Sequence, residues 1–238
     1  MENYNNRWDA SSISYAGAPA YAKLFRSVFI WMALALAVTG LTASYVANYL
    51  TLHPDMFSGG LFIGLAIAEL VIVFILSARI NKMSFATAGI MFAVYSILNG
   101  ATMSVLFLAY TMSSIASTFF ITAGTFGVMA LIGTTTKMDL SKFSSMFTMA
   151  LVGLIIASLV NIFWDNSTLY WIITYVGVLL FVGLTAWDAQ KIKNMLQVYG
   201  TEENESTQKI ALMGSLSLYL DFINLFIYLL RILGTRRD

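Results

Sequence analysis

The sequence predicts an all-α membrane protein built from seven transmembrane helices, and three observations carry that prediction. The 238 residues are 59% hydrophobic and only 11% charged, where soluble domains hold about 25% charged residues. Seven apolar segments, roughly 27–50, 60–79, 86–110, 116–134, 145–163, 169–190 and 210–233, have the length of ~20 residues that crosses a bilayer. The basic residues gather in alternate connections between those segments, as they do in multi-pass membrane proteins.

Span one follows a polar stretch, residues 1–26, that lacks the charged n-region and short h-region of a cleavable signal. The first apolar segment therefore stays as a span and the polar stretch is a tail. Span two holds a glutamate, Glu69, at its middle. Span four reads "TAGTFGVMALIGTTT", with small residues that permit close helix packing in lipid. Span five follows "TTTKMDLSKF", where Asp139 or Ser141 is placed to cap a helix N-terminus. Between spans six and seven, "VYGTEENESTQK" at 198–209 reads as a solvated turn. Tyr170, Trp171, Trp164 and Trp187 fall near span ends, where aromatic rings favour the interface. Residues 27–233 thus form one seven-helix transmembrane domain, followed by a short tail, 234–238.

Arg7, Lys23, Arg26, Arg79, Lys82, Lys137, Lys142, Lys191, Lys193 and Lys209 all fall on one side, ten of the thirteen basic residues. The positive-inside rule makes that side, and the N-terminus, cytoplasmic. Arg231, Arg236 and Arg237 dissent, because a full seventh crossing leaves the C-terminal tail outside. A re-entrant seventh segment would return it to the cytoplasm. Span seven is long enough to cross and contains no proline, which favours the full crossing.

Composition excludes several function classes. The net charge of +1 gives no case for nucleic acid, and the absence of cysteine removes thiolate metal sites, cysteine nucleophiles and disulfides. The single histidine, His53, lies in an outer loop, "TLHPD", away from any intramembrane serine. Neither Asp188 nor Asp221 sits in the GxGD context of a di-aspartyl intramembrane protease, and span seven has no central lysine for a retinal Schiff base. The chain reads as not an enzyme, and no cofactor is implied.

Ionisable groups within spans are costly and mark functional paths. Glu69, Asp188, Asp221 and Arg231 qualify, with Arg79 at a span end. Spans six and seven form a hairpin, and the midpoint between Asp188 and Asp221 is 204.5, inside "GTEENES". The expectation is two carboxylates at similar depth, within hydrogen-bond reach and sharing one proton. Glu69 lies ten residues before Arg79, and Arg231 ten residues after Asp221. If Arg79 reaches the aspartates, Glu69 and Arg231 arrive at one level as a second ion pair, on one docking of span two against span seven.

Three stretches carry a family resemblance: "GTTTKMDLSKF" after span four, "GLTAWDAQKI" ending span six and "LYLDFINLFIYLLRILG" in span seven. Together they resemble the Bax inhibitor-1 family, also called the transmembrane Bax-inhibitor-motif family, from about residue 20 to the end. The short tail and compact loops point to a bacterial member in the inner (plasma) membrane. The resemblance implies a bundle whose last helix is central, and a calcium leak controlled by pH. Its two sensing aspartates map to Asp188 and Asp221, and a latching arginine maps to Arg79 in "LSARINK". The "GTEENES" turn lengthens the connection relative to the family pattern. Calcium would be the transported ion, held only transiently, because two carboxylates fall short of the six to eight oxygens Ca²⁺ prefers. The alternatives are a non-conducting membrane regulator, binding a partner such as a membrane protease, and a proton-coupled carrier. The expected surroundings are the lipid bilayer and calcium ions; the sequence leaves the oligomeric state open.

Overall fold

A computed structural model describes residues 10–56, 59–200 and 202–237. Residues 1–9, Arg7 among them, and Asp238 lie outside the described residues. Among the described residues, seven helices are long and apolar enough to cross a membrane. They are α1 (Ala10–Leu52), α2 (Gly59–Arg79), α3 (Phe85–Ala109), α4 (Met112–Thr135), α5 (Ser144–Trp164), α6 (Ser167–Tyr199) and α7 (Glu205–Leu233). Single turns of 3-10 helix at Pro54–Met56, Ile80–Lys82 and Leu140–Phe143 join neighbours.

Several helices exceed the apolar segments that announced them. α1 begins at Ala10, so residues 10–26 continue the first span as helix. α6 runs to Tyr199, nine residues past position 190, and α7 starts at Glu205. Hydropathy registers contact with lipid, and a helix does not stop where lipid stops. The helix starts follow from short polar side chains. Ser84, Thr111, Asn166 and Asn204 each accept a hydrogen bond from a first-turn N–H of α3, α4, α6 and α7. At Asn204 the cap is reciprocal, because Thr207 Oγ1 accepts from the Asn204 N–H at 3.0 Å. The turn between α6 and α7 shrinks accordingly to positions 200–204. Asp139 caps the turn at Leu140–Phe143 by accepting from Ser141 N at 3.0 Å. Those hydrogen bonds from Ser141 hold its carboxyl below the usual carboxylate range.

α7 is the central helix. It packs on α6, α1, α4 and α3, and 67% of its most apolar stretch is buried, against 6% for α2 and for α5. Leu212, Leu218, Tyr219, Leu225 and Leu230 are its innermost side chains. α2 packs chiefly on α3 and α5 on α6, so both stand at the periphery facing lipid. Close approach is clearest where α4 crosses α6: a Cβ at Gly133 would collide with the carbonyl of Ala186. The C-terminal tail pairs with the α3–α4 turn, through Thr111 N–H to Thr235 O (3.0 Å) and Arg237 N–H to Ala109 O (2.9 Å). That turn is at the opposite end of the bundle from the α6–α7 turn, so α7 crosses fully and is not re-entrant.

Candidate ion-gating site

The two aspartates occupy the buried seam between α6 and α7. Asp221 is 5% exposed, and its Oδ2 has no hydrogen-bond partner. Asp188 is half-buried and faces a cavity of about 240 Å³ at the basic end of the bundle. Lys191, Lys209, Ile80 and Ser217 line the same cavity. Each aspartate lies within electrostatic reach of Lys191, and Asp188 of Asp221. No hydrogen bond joins the two carboxyl groups among the described residues. The reason is the turn. Asp188 is eleven residues in from Tyr199, whereas Asp221 is sixteen residues in from Glu205. Ile192 of α6 packs against Gly214 of α7, so Asp188 is level with about residue 218 and Asp221 lies about three residues, or ~4.5 Å of helix, deeper.

The helices around this cavity are tied by polar contacts. Lys209 Nζ donates to Met83 O at 3.1 Å, linking α7 to the α2–α3 connection. Buried Gln190 accepts from Leu140 N–H and donates to Met138 O, both at 2.8 Å, and Lys193 Nζ donates to Thr134 O at 2.6 Å. These three bonds fix the "TTTKMDL" connection to α6, one turn from Asp188. Lys191 rests over the Trp187 ring at 5.0 Å.

Two expected contacts are not formed. Arg79 is exposed at the end of α2 and makes no ion pair with either aspartate; among the described residues the one salt bridge is Lys23–Glu203, at 2.6 Å. The cation beside the pair is Lys191. Glu69 and Arg231 are likewise apart. Glu69 accepts from Asn99 Nδ2 (3.0 Å) and Thr102 Oγ1 (2.5 Å) of α3, while the Arg231 guanidinium lies over Tyr170 and Tyr228, at 5.3 and 5.2 Å. Residue spacing along two helices gives depth but not direction, and α2 turns its polar face to α3 rather than to α7.

Residues the sequence reading passed over complete the polar interior. Tyr219 O–H donates to Asn99 Oδ1 at 3.0 Å and stands 2.6 Å from Thr39 Oγ1, which in turn donates to Ser96 O at 3.0 Å. With Glu69 they join α1, α2, α3 and α7 in one network. Its signal was the asparagine in "SILNGAT", a side chain that needs partners in the middle of a span.

The chain is similar in sequence to known proteins. Residues 21–238 match the family described as "Inhibitor of apoptosis-promoting Bax1". The Escherichia coli K12 inner membrane protein YbhL is 49% identical over 211 residues, 88% of this chain and 90% of that protein. RP147 of Rickettsia prowazekii is 44% identical over 89% of each chain. A protein of Borreliella burgdorferi is 42% identical over 91% of this chain and 93% of its own length. With seven spans around a central last helix, buried aspartates in the two motif-bearing helices and a match along nearly its whole length, the chain is a multi-pass integral membrane protein of the Bax inhibitor-1 family.

Proposed function

We propose that the protein is a calcium leak whose opening is set by protonation of Asp188 and Asp221. The observation that supports this reading is the bare Oδ2 of Asp221, a buried carboxylate oxygen with no donor, beside a second carboxylate and a cavity open to the basic end. An unpaired buried polar oxygen is costly, and in a membrane such groups mark ion and proton paths. At neutral pH the pair shares one proton and keeps about one negative charge. Lys191 of α6 attracts the share of that charge on Asp221 of α7, and Lys209 of α7, which lines the same cavity, attracts the share on Asp188 of α6, so the charge draws the two helices together. A second proton neutralises the pair. The lysines then repel one another without a carboxylate between them and swing into cytoplasmic water, and the seam loosens. The charged form is the closed one, so the closed state prefers higher pH and the leak rises as pH falls.

Magnitudes make the response graded. Lys191 is exposed and Lys209 half-buried, so their attraction for the charge on the pair is worth at most about 2 kcal/mol together, a shift of about 30-fold. A complete reversal from 1:99 to 99:1 needs about 5.5 kcal/mol. A calcium ion passing the pair keeps most of its water, since two carboxylates supply a minority of its ligands.

Calcium flux in liposomes containing only this protein, followed from pH 8 to pH 5, tests the reading. The wild type is expected to leak about 10–30-fold faster at the acid end. Asp188→Asn and Asp221→Asn flatten the profile, Arg79→Ala leaves it unchanged, and Lys191→Met with Lys209→Met raises the neutral leak. A wild-type profile in Asp188→Asn overturns the gate. Absence of flux at every pH overturns the leak and leaves the non-conducting, partner-binding reading.

A further inference from the structure

An apolar groove runs down the outer half of the bundle, between α1 and α4. It has a volume of about 640 Å³, within the range of roughly 300–1,000 Å³ for small-molecule sites. Each of its walls packs on α7. Its floor is Phe222, Ile223 and Phe226 of α7, which pack with Phe119 of α4. One polar side chain lines it, Thr39, and that hydroxyl is already taken up by Ser96 O and Tyr219. Such a cavity holds no water. The mouth opens past Leu41 and Phe120, both 73% exposed, on a face that bilayer chains must cover. On α1 the groove wall includes Gly40, where an added Cβ would meet no atom within 4 Å.

The outer end of this groove carries a positive charge held in place. The tail pairs with the α3–α4 turn through the Tyr110–Arg236 bridge, and Arg237 N–H donates to Ala109 O. This pairing leaves Arg237 Nη1 at 3.5 Å from the carbonyl of Phe107, a groove residue. Arg237 is exposed, and no acidic side chain among the described residues pairs with it. The placement also gives a use to an arginine on the side where the positive-inside rule expects few.

We infer that the α1–α4 groove with Arg237 is a phospholipid site, taking one acyl chain of an outer-leaflet lipid along α7 and its phosphate on Arg237. The α1 wall runs from Ala33 to Ala43, about 15 Å of helix, which suits an acyl chain, and a planar guanidinium at interface level suits a phosphate. An anionic glycerophospholipid gains most, since a basic residue at the membrane surface attracts anionic lipid by about 1 kcal/mol, or about fivefold.

Native mass spectrometry of protein extracted from bilayers of equal phosphatidylglycerol and phosphatidylethanolamine tests this. The wild type is expected to retain one phospholipid, with phosphatidylglycerol favoured about fivefold. Gly40→Phe fills the groove, and retention drops more than about tenfold. Ala37→Phe, from an exposed position on the same wall, does the same and guards against misfolding of the first variant. Arg237→Gln keeps the lipid and loses the headgroup preference. Wild-type retention in both phenylalanine variants, or no retained lipid in the wild type, overturns the site. An unchanged preference in Arg237→Gln overturns the role of the arginine.

Discussion

Glu69 and Asp221 both lie inside spans, yet Glu69 has both carboxylate oxygens bonded, by Asn99 and Thr102, while Asp221 keeps one oxygen bare in the interior. The first carboxylate is surrounded by donors from α3 and belongs to a network that reaches the centre of the bundle through Tyr219. The second has apolar packing, a neighbouring carboxylate and a lysine at a distance. A carboxylate given its full set of donors holds helices in place. One denied them is sensitive to whether it carries a proton. The position of a charge in a span therefore says little about its use until its partners are known.

Removing each group should separate the two uses. Glu69→Ala strands the Asn99 amide and the Thr102 hydroxyl, with a loss of about 1–3 kcal/mol, read as a lower unfolding midpoint in detergent, while the pH dependence of flux stays as in the wild type. Asp221→Asn should do the reverse, flattening the pH response and leaving the midpoint within about 0.5 kcal/mol of the wild type. Equal destabilisation by the two variants would erase the distinction. A finer cut comes from Tyr219→Phe, which deletes the hydroxyl shared by Thr39 and Asn99. Interhelical hydrogen bonds in membranes average about 0.6 kcal/mol, so the loss should be of about that size; no loss at all would mean the network adds nothing to the packing around it.

The smallest effect lies at the surface. The Lys23–Glu203 pair joins α1 to the α6–α7 turn, and its hydrogen bond lowers the Glu203 carboxyl below its usual range. A lowered folded value gives stabilisation that is present above the unfolded value and fades as pH falls through the folded one. Glu203→Gln should therefore melt slightly earlier than the wild type at neutral pH and together with it in acid. A gap that widens in acid would reverse the assigned sign.

Much of this was legible in the sequence. The spans could be counted because lipid imposes length and apolarity, and the aspartates stood out because charge there is rare. Azimuth was not legible. Glu69 and Arg231 were matched in depth by equal spacing, but α2 packs on α3, and two groups at one level on different sides of a bundle never meet. The length of α6 was hidden too, since "KIKNMLQVY" leaves the lipid while staying helical, and that moved the turn and offset the aspartates. The neutral network escaped because Asn99, Thr39 and Tyr219 carry no charge to mark them.

The burial of α7 also sets the order in which the protein can be made. Of the seven helices it is the last to leave the ribosome, yet the others assemble around it. Domains generally fold from the N-terminus during synthesis, and here α1, α4 and α6 must wait in the membrane without the surface they share. Lys193 can tie α4 to α6 early, and Gln190 the connection after α4, but the surfaces that pack on α7 lack their partner until its 29 residues arrive. A chain that stops before Glu205 is thus a bundle without its core, and biogenesis of this protein is decided by its final helix.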